Sequence, residues 1–160
     1  MTSTDDSTPA PADETMARIG AAVTRAQRGE PDAARRELTS LWNELGPGGD
    51  PLHRCTLAHH LADLQEDPRE ELAWDQRALA AADAVTDERA AAAGATGPVA
   101  AFYPSLHLNL GEDHRKLGDL PAARRHLELG RAAAGELSDD GYGAMVRGGL
   151  EALATRLGDG

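Results

Sequence analysis

The chain has 160 residues, enough for one ordinary domain with its own core. Its 27 acidic and 16 basic residues leave a formal charge of −11, which disfavours any general hold on a phosphate backbone. A single cysteine, Cys55, excludes an intrachain disulfide framework, and no stretch approaches the roughly 20 apolar residues of a membrane span.

The first 14 residues, MTSTDDSTPAPADE, contain four carboxylates and no base. Nothing there can bury a core face, so positions 1–14 read as a disordered acidic tail. With no basic end and no apolar run, that start does not read as a secretory signal, and a cytoplasmic protein is expected. One Lys against fifteen Arg, with abundant Ala, is the composition of a GC-rich bacterial coding sequence.

From Thr15 onward, helix formers prevail and strand-type runs are missing, so the fold class is all-α. The first helix runs from Thr15 to Arg28 and ends at Gly29. The second, Pro31 to about Leu45, carries Ala34, Leu38, Leu41 and Leu45 on one face. Asp50-Pro51 and Asp67-Pro68 each pair an N-cap with a first-turn proline and start helices three and four. Leu57, Leu61 and Leu64 stripe the third; Trp74, Ala78, Ala81 and Val85 stripe the fourth, which runs on to about Ala93 unless a break near Thr86 divides it. Pro98 or Pro104 starts the fifth, whose stripe is Leu106, Leu110 and Leu117. The sixth spans about 120–137, and the last carries Val146, Leu150, Leu153 and Leu157. Short turns between about seven helices imply antiparallel neighbours.

Three segments, 21–45, 58–82 and 110–134, share one plan: helix, short turn with an acid, second helix with small residues on its inner face. Their turns, Gly29-Glu30, Glu66-Asp67 and Gly118-Asp119, lie 37 and 52 residues apart. The third copy has Leu110-Gly111, Gly118-Asp119, Ala123, Leu127 and Gly130; the first has Ala22, Gly29-Glu30, Ala34, Leu38 and Leu41. These residues resemble the tetratricopeptide repeat, in its longer-repeat variants. The second copy keeps Ala78-Leu79 but has His59 and Glu71 where small residues are expected.

The resemblance implies a short right-handed stack of antiparallel helix pairs. Its domain would cover 15–157, with repeats at about 15–49, 50–97 and 98–137 and a capping helix at 140–157. It also implies a groove lined by the first helix of each pair, which binds a protein or peptide without catalysis. Carried over, the groove positions are Ile19 and Val23, with Met16 beside them; then His53, Thr56, His60 and Asp63; then Leu108, Asn109, Glu112, Arg115 and Lys116. The competing assignment puts Ile19 and Val23 in the core and the rest on a solvated face. Some members of the family grip a C-terminal carboxylate with several Lys, Arg and Asn side chains. The first pair here offers no cation, so that clamp is not expected.

Six histidines raise a metal question. His59 and Asp63 lie one turn apart, while His53/His60 and His107/His114 repeat at two turns; Glu112 and Asp113 are adjacent. No HExxH motif or Cys pair accompanies them, so no metal and no cofactor are expected. Cys55 has no activating context, and there is no phosphate loop, nucleophile elbow or dinucleotide fingerprint. The expectation is therefore a non-enzymatic interaction module with a basic or apolar protein partner, engaging neither nucleic acid nor membrane. A homo-oligomer (a homodimer at simplest) and a metal or small-molecule binder built on the central histidines are the alternatives.

Overall fold

The computed structural model describes residues 13–158. Among them are eight α-helices and two short 3-10 turns, and no strand. The helices are α1 (Glu14–Gln27), α2 (Pro31–Leu45), α3 (Pro51–Asp63), α4 (Pro68–Ala82), α5 (Asp87–Ala92), α6 (Tyr103–Lys116), α7 (Leu120–Ala133) and α8 (Gly141–Arg156). The eighth helix beyond the expected seven is α5, which begins at the anticipated break: Thr86 caps it through Arg89 N–H. Both candidate starts of the fifth expected helix are used. Pro98 precedes a 3-10 turn at Val99–Phe102, and Pro104 lies in the first turn of α6. The tail expected over 1–14 lies outside the described residues up to position 12. Asp13 and Glu14 belong to α1, as its N-cap and first residue.

Local chemistry explains the starts. The Asp13, Asp50, Asp67, Asp119 and Asp140 carboxylates each accept from a backbone N–H of the helix they precede. The α1–α2 and α6–α7 turns share one geometry. Gly29 and Gly118 take positive φ, and the following Glu30 and Asp119 N–H groups donate back to the Arg25 and His114 carbonyls.

Short connections and extended contact make α1/α2, α3/α4 and α6/α7 antiparallel hairpins. Each hairpin meets the next, α2 on α3 and α4 on α6, and α8 closes the end against α6 and α7. The core is correspondingly a chain of clusters. Ile19, Ala22, Leu38, Leu41, Leu57 and Leu61 join α1, α2 and α3. Cys55, Ala58, Ala78, Ala82 and Leu106 join α3, α4 and α6. Leu127, Val146, Leu150 and Leu153 join α7 and α8. Small residues form the buried centre of the middle cluster, and Trp42, Trp74, Phe102 and Tyr103 pack around it. Trp42 and Trp74 meet edge-on at 5.1 Å between α2 and α4. No described helix is long and apolar enough to cross a membrane.

The segment between α4 and α6 is tied down by charge. Arg89 of α5 donates to Asp50 Oδ2 at 2.8 Å and to Asp13 Oδ2 at 3.3 Å, so one guanidinium clips the starts of α1 and α3 together. Asp50 also caps α3 through Leu52 and His53 N–H. Asp50→Ala is therefore expected to cost more than a lone cap, about 1–2 kcal/mol, while Asp67→Ala at an exposed cap costs less. Thermal melts of both variants check this; equal losses would remove the clip from the account.

Candidate functional site

The third helix is the organising element. Cys55, Leu57, Ala58, Leu61 and Ala62 bury one broad side of α3 against its neighbours. Thr56, His59 and His60 are left half-buried and Asp63 exposed. On either side of that strip lies a cleft. One, of about 180 Å³, has walls from Leu52, Cys55, Phe102 and Leu106, with Thr56, His59 and Ser105 as polar groups and Tyr142 of α8 at its edge. Tyr142 reaches Ser105 Oγ at 3.1 Å. The other, of about 250 Å³, lies between Val23, Ala26 and Gln27 of α1 and His60, Asp63 and Leu64 of α3.

Four of the residues expected in a groove, Val23, Thr56, His60 and Asp63, thus line these clefts. Asn109 lies beside them, its side chain 3.3 Å from His59 Nδ1. Others are placed elsewhere. Ile19 is 2% exposed and belongs to the core, where no partner can touch it. Leu108 packs toward α8. Glu112 is bound by Arg115 at 2.9 Å and by Arg156 of α8. His53 sits at the far end of α3, 2.9 Å from Asp13 Oδ2 and beside Arg89. Lys116 donates to both oxygens of Glu71, at 3.1 and 3.2 Å. Arg115 and Lys116 are thus each engaged in an ion pair within the chain.

Between α4 and α6 lies a cluster that the helical stripes conceal. The fully buried face of α4 runs Asp75, Ala78 and Ala82; Trp74 and Ala81, which its spacing first suggests, pack against the core partly buried, and Val85, itself buried, falls beyond the helix end. In α6 the buried set includes Asp113 beside Leu106 and Leu110, while Leu117 is the exposed C-cap. Asp75 is 2% exposed and Asp113 fully buried. Carboxylate oxygens of Glu71, Asp75 and Asp113 all lie within 4.8 Å of one another. Both oxygens of Asp113 and Oδ1 of Asp75 meet no donor.

Burial raises the Asp113 pKa above the usual carboxylate range, and the hydrogen bond and charge of Asp75, then Glu71, raise it further. Asp75 is likewise raised, chiefly by burial, against the pull of its contact with Asp113. One proton held between the two carboxyls lets them hydrogen-bond each other. His60 goes the opposite way: burial, then the neighbouring His59, holds it down to about 4, so it is a neutral ring at pH 7.

The other titratable groups have structural explanations. His107 and His126 approach at 3.1 Å between α6 and α7, and His114 stacks on His126 at 5.4 Å. Burial depresses both His107 and His126, the latter to about 4. Cys55 is buried and free, its thiol pushed up to about 11 by burial, which makes it a poor nucleophile. The chain matches no protein-family model, no curated protein and no solved structure.

Proposed function

We propose that the chain is a cytoplasmic, non-catalytic interaction module of tetratricopeptide-like build. In this reading it is a short right-handed stack of helix pairs that holds a peptide or protein segment along the face shared by α1, α3 and α6. The observation that carries the reading is the pair of adjoining clefts on either side of α3, apolar within and polar at the rim. Two equivalences support the repeat build. Arg35 of α2 donates to the Leu64 carbonyl at the end of α3, and Arg124 of α7 donates to the Leu157 carbonyl at the end of α8. The same position in pairs one and three thus ties each pair to the helix that follows it. The matched turns at Gly29 and Gly118 are the second.

The lining sets the partner's chemistry. The cleft between α3 and α6 suits one apolar or aromatic anchor, with Thr56 and Ser105 placed to fix register. Asp63 rims the cleft between α1 and α3, and the chain is acidic, so basic residues beside the anchor complement it. Random-peptide display on the immobilised chain is expected to enrich peptides with an apolar anchor flanked by Arg or Lys. Thr56→Arg, which fills the cleft, should weaken the enriched peptide by about tenfold or more in fluorescence anisotropy. Arg36→Glu, on an exposed part of α2, should not. No enriched sequence, or equal binding by the Thr56 variant, would sink the reading.

A further inference from the structure

The joint of α3, α4 and α6 contains more ligand chemistry than a peptide cleft needs. Each of the three helices brings a polar pair one turn apart: His59 and Asp63, Glu71 and Asp75, Asn109 and Asp113. Spacing of four places both members of a pair on one helix face. The Asn109–His59 contact at 3.3 Å joins α6 to α3. The carboxylate contacts join α6 to α4.

Buried polar atoms are nearly always satisfied, and buried charges are paired or bound to metal. Asp113, fully buried, has neither oxygen met by a donor; Asp75, 2% exposed, has Oδ1 unmet. Lys116 neutralises Glu71 alone. A shared proton satisfies one lone pair on each of Asp75 and Asp113 and leaves the others. A cation satisfies several at once, and the spacing allows it. Oxygens on opposite sides of an ion bound at about 2.0–2.4 Å are about 4–4.8 Å apart, and the Glu71, Asp75 and Asp113 ligand atoms lie within 4.8 Å of one another.

We propose that Glu71, Asp75 and Asp113 form a divalent-cation site that locks α4 to α6. An all-carboxylate set selects hard, oxygen-seeking ions of the magnesium and manganese class. The ion enters from the solvent end, where Glu71 is half-buried and Lys116 is exposed, so the Lys116 ammonium competes with it for Glu71. The site does not depend on what the clefts bind. Its role is to fix the angle between the second and third hairpins, whose meeting point is α4 on α6.

Mn2+ titrated into the full chain after chelator treatment, with the free ion followed by electron paramagnetic resonance, tests the proposal. The wild type is expected to take up one tight equivalent. Asp113→Asn and Glu71→Gln should each weaken it by at least about tenfold, while Lys116→Met should tighten it. Glu136→Gln, an exposed acid outside the cluster, should leave it unchanged. Circular dichroism establishes that each variant is folded, and the half-buried Glu71 carries the test should the Asp113 variant fail to fold. Uptake no tighter than that of scattered surface carboxylates would overturn the proposal, as would uptake unaltered in both Asp113→Asn and Glu71→Gln. So would Mn2+ binding that is lost in His60→Ala and retained in Asp113→Asn, which would move the ion to His59, His60 and Asp63.

Discussion

Between about pH 7 and about pH 8.5 the chelator-treated protein is expected to lose about 2 kcal/mol of stability, and Asp113→Asn to abolish that loss. Asp113 is fully buried, and its pKa is raised from the unfolded value of 3.8 to about 10. Over the interval between those two values the folded state binds more protons than the unfolded one, so stability falls as pH rises. A single group gives a slope of about 1.4 kcal/mol per pH unit, hence about 2 kcal/mol over this window.

The other shifted groups act outside that window. Asp75 and Asp63 are also raised and push in the same direction from the acid side. His60, His107 and His126 are lowered from 6.5, so they favour the folded state increasingly as pH climbs toward 6.5 and no further. These opposed sets put the stability maximum near neutrality. Asp13, Glu44 and Asp50 have lowered pKa values and add stability that is lost only as pH falls below their unfolded range. Cys55, whose unfolded thiol titrates near 9.0, sets the upper limit of the window. In the variant, an amide replaces the titrating group and can donate to Asp75 Oδ1, so the alkaline slope should vanish. Urea denaturation at a series of pH values with chelator present measures both profiles. A flat wild-type profile, or a slope retained by Asp113→Asn, would contradict the account.

Helix starts were legible because capping is local: an Asp followed by Pro states its geometry within four residues, as at Asp50-Pro51 and Asp67-Pro68. Helix α5 showed only as a break at Thr86, since six residues of DERAAA carry no apolar stripe to read. Thr56, His60 and Asp63, expected in a groove, line the clefts on either side of α3. The buried acids were not, because each interrupts an apolar stripe. Leu106, Leu110 and Leu117 skip a position, and Asp113 is the residue that completes the spacing of 4, 3 and 4. In α4 the large Trp74 drew the stripe one residue away from Asp75. The departures from the expected pattern, His59 and Glu71, were visible; Glu71 lies beside Asp75 and Asp113, and His59 is near enough to act on Asp75. What could not be read is that three helices bring these residues to one joint, since that depends on contacts between residues about 40–50 positions apart.

The joint's far side supplies the second large effect. Gly111→Ala is expected to destabilise by about 1–3 kcal/mol, and the loss should be largely absent in a Leu153→Ala background. A Cβ on Gly111 would lie 2.6 Å from Leu153 Cδ2 of α8 and 3.4 Å from the Ala123 carbonyl of α7. Three helices meet at this one position, and Leu153 is fully buried, so its methyl has no open space to move into. Leu153→Ala alone leaves a cavity costing about 2–5 kcal/mol. With both changes the new methyl fills part of that cavity, so the double variant should be more stable than the sum of the singles predicts by about 1 kcal/mol or more. Gly20 is the control. It lies mid-helix in α1, where an added Cβ would meet nothing within 4 Å, so Gly20→Ala should gain about 0.5–1 kcal/mol from backbone entropy. Urea denaturation of the five proteins closes the cycle. Strict additivity would mean that α8 yields at Gly111, and that it is a loosely seated helix instead of a packed one.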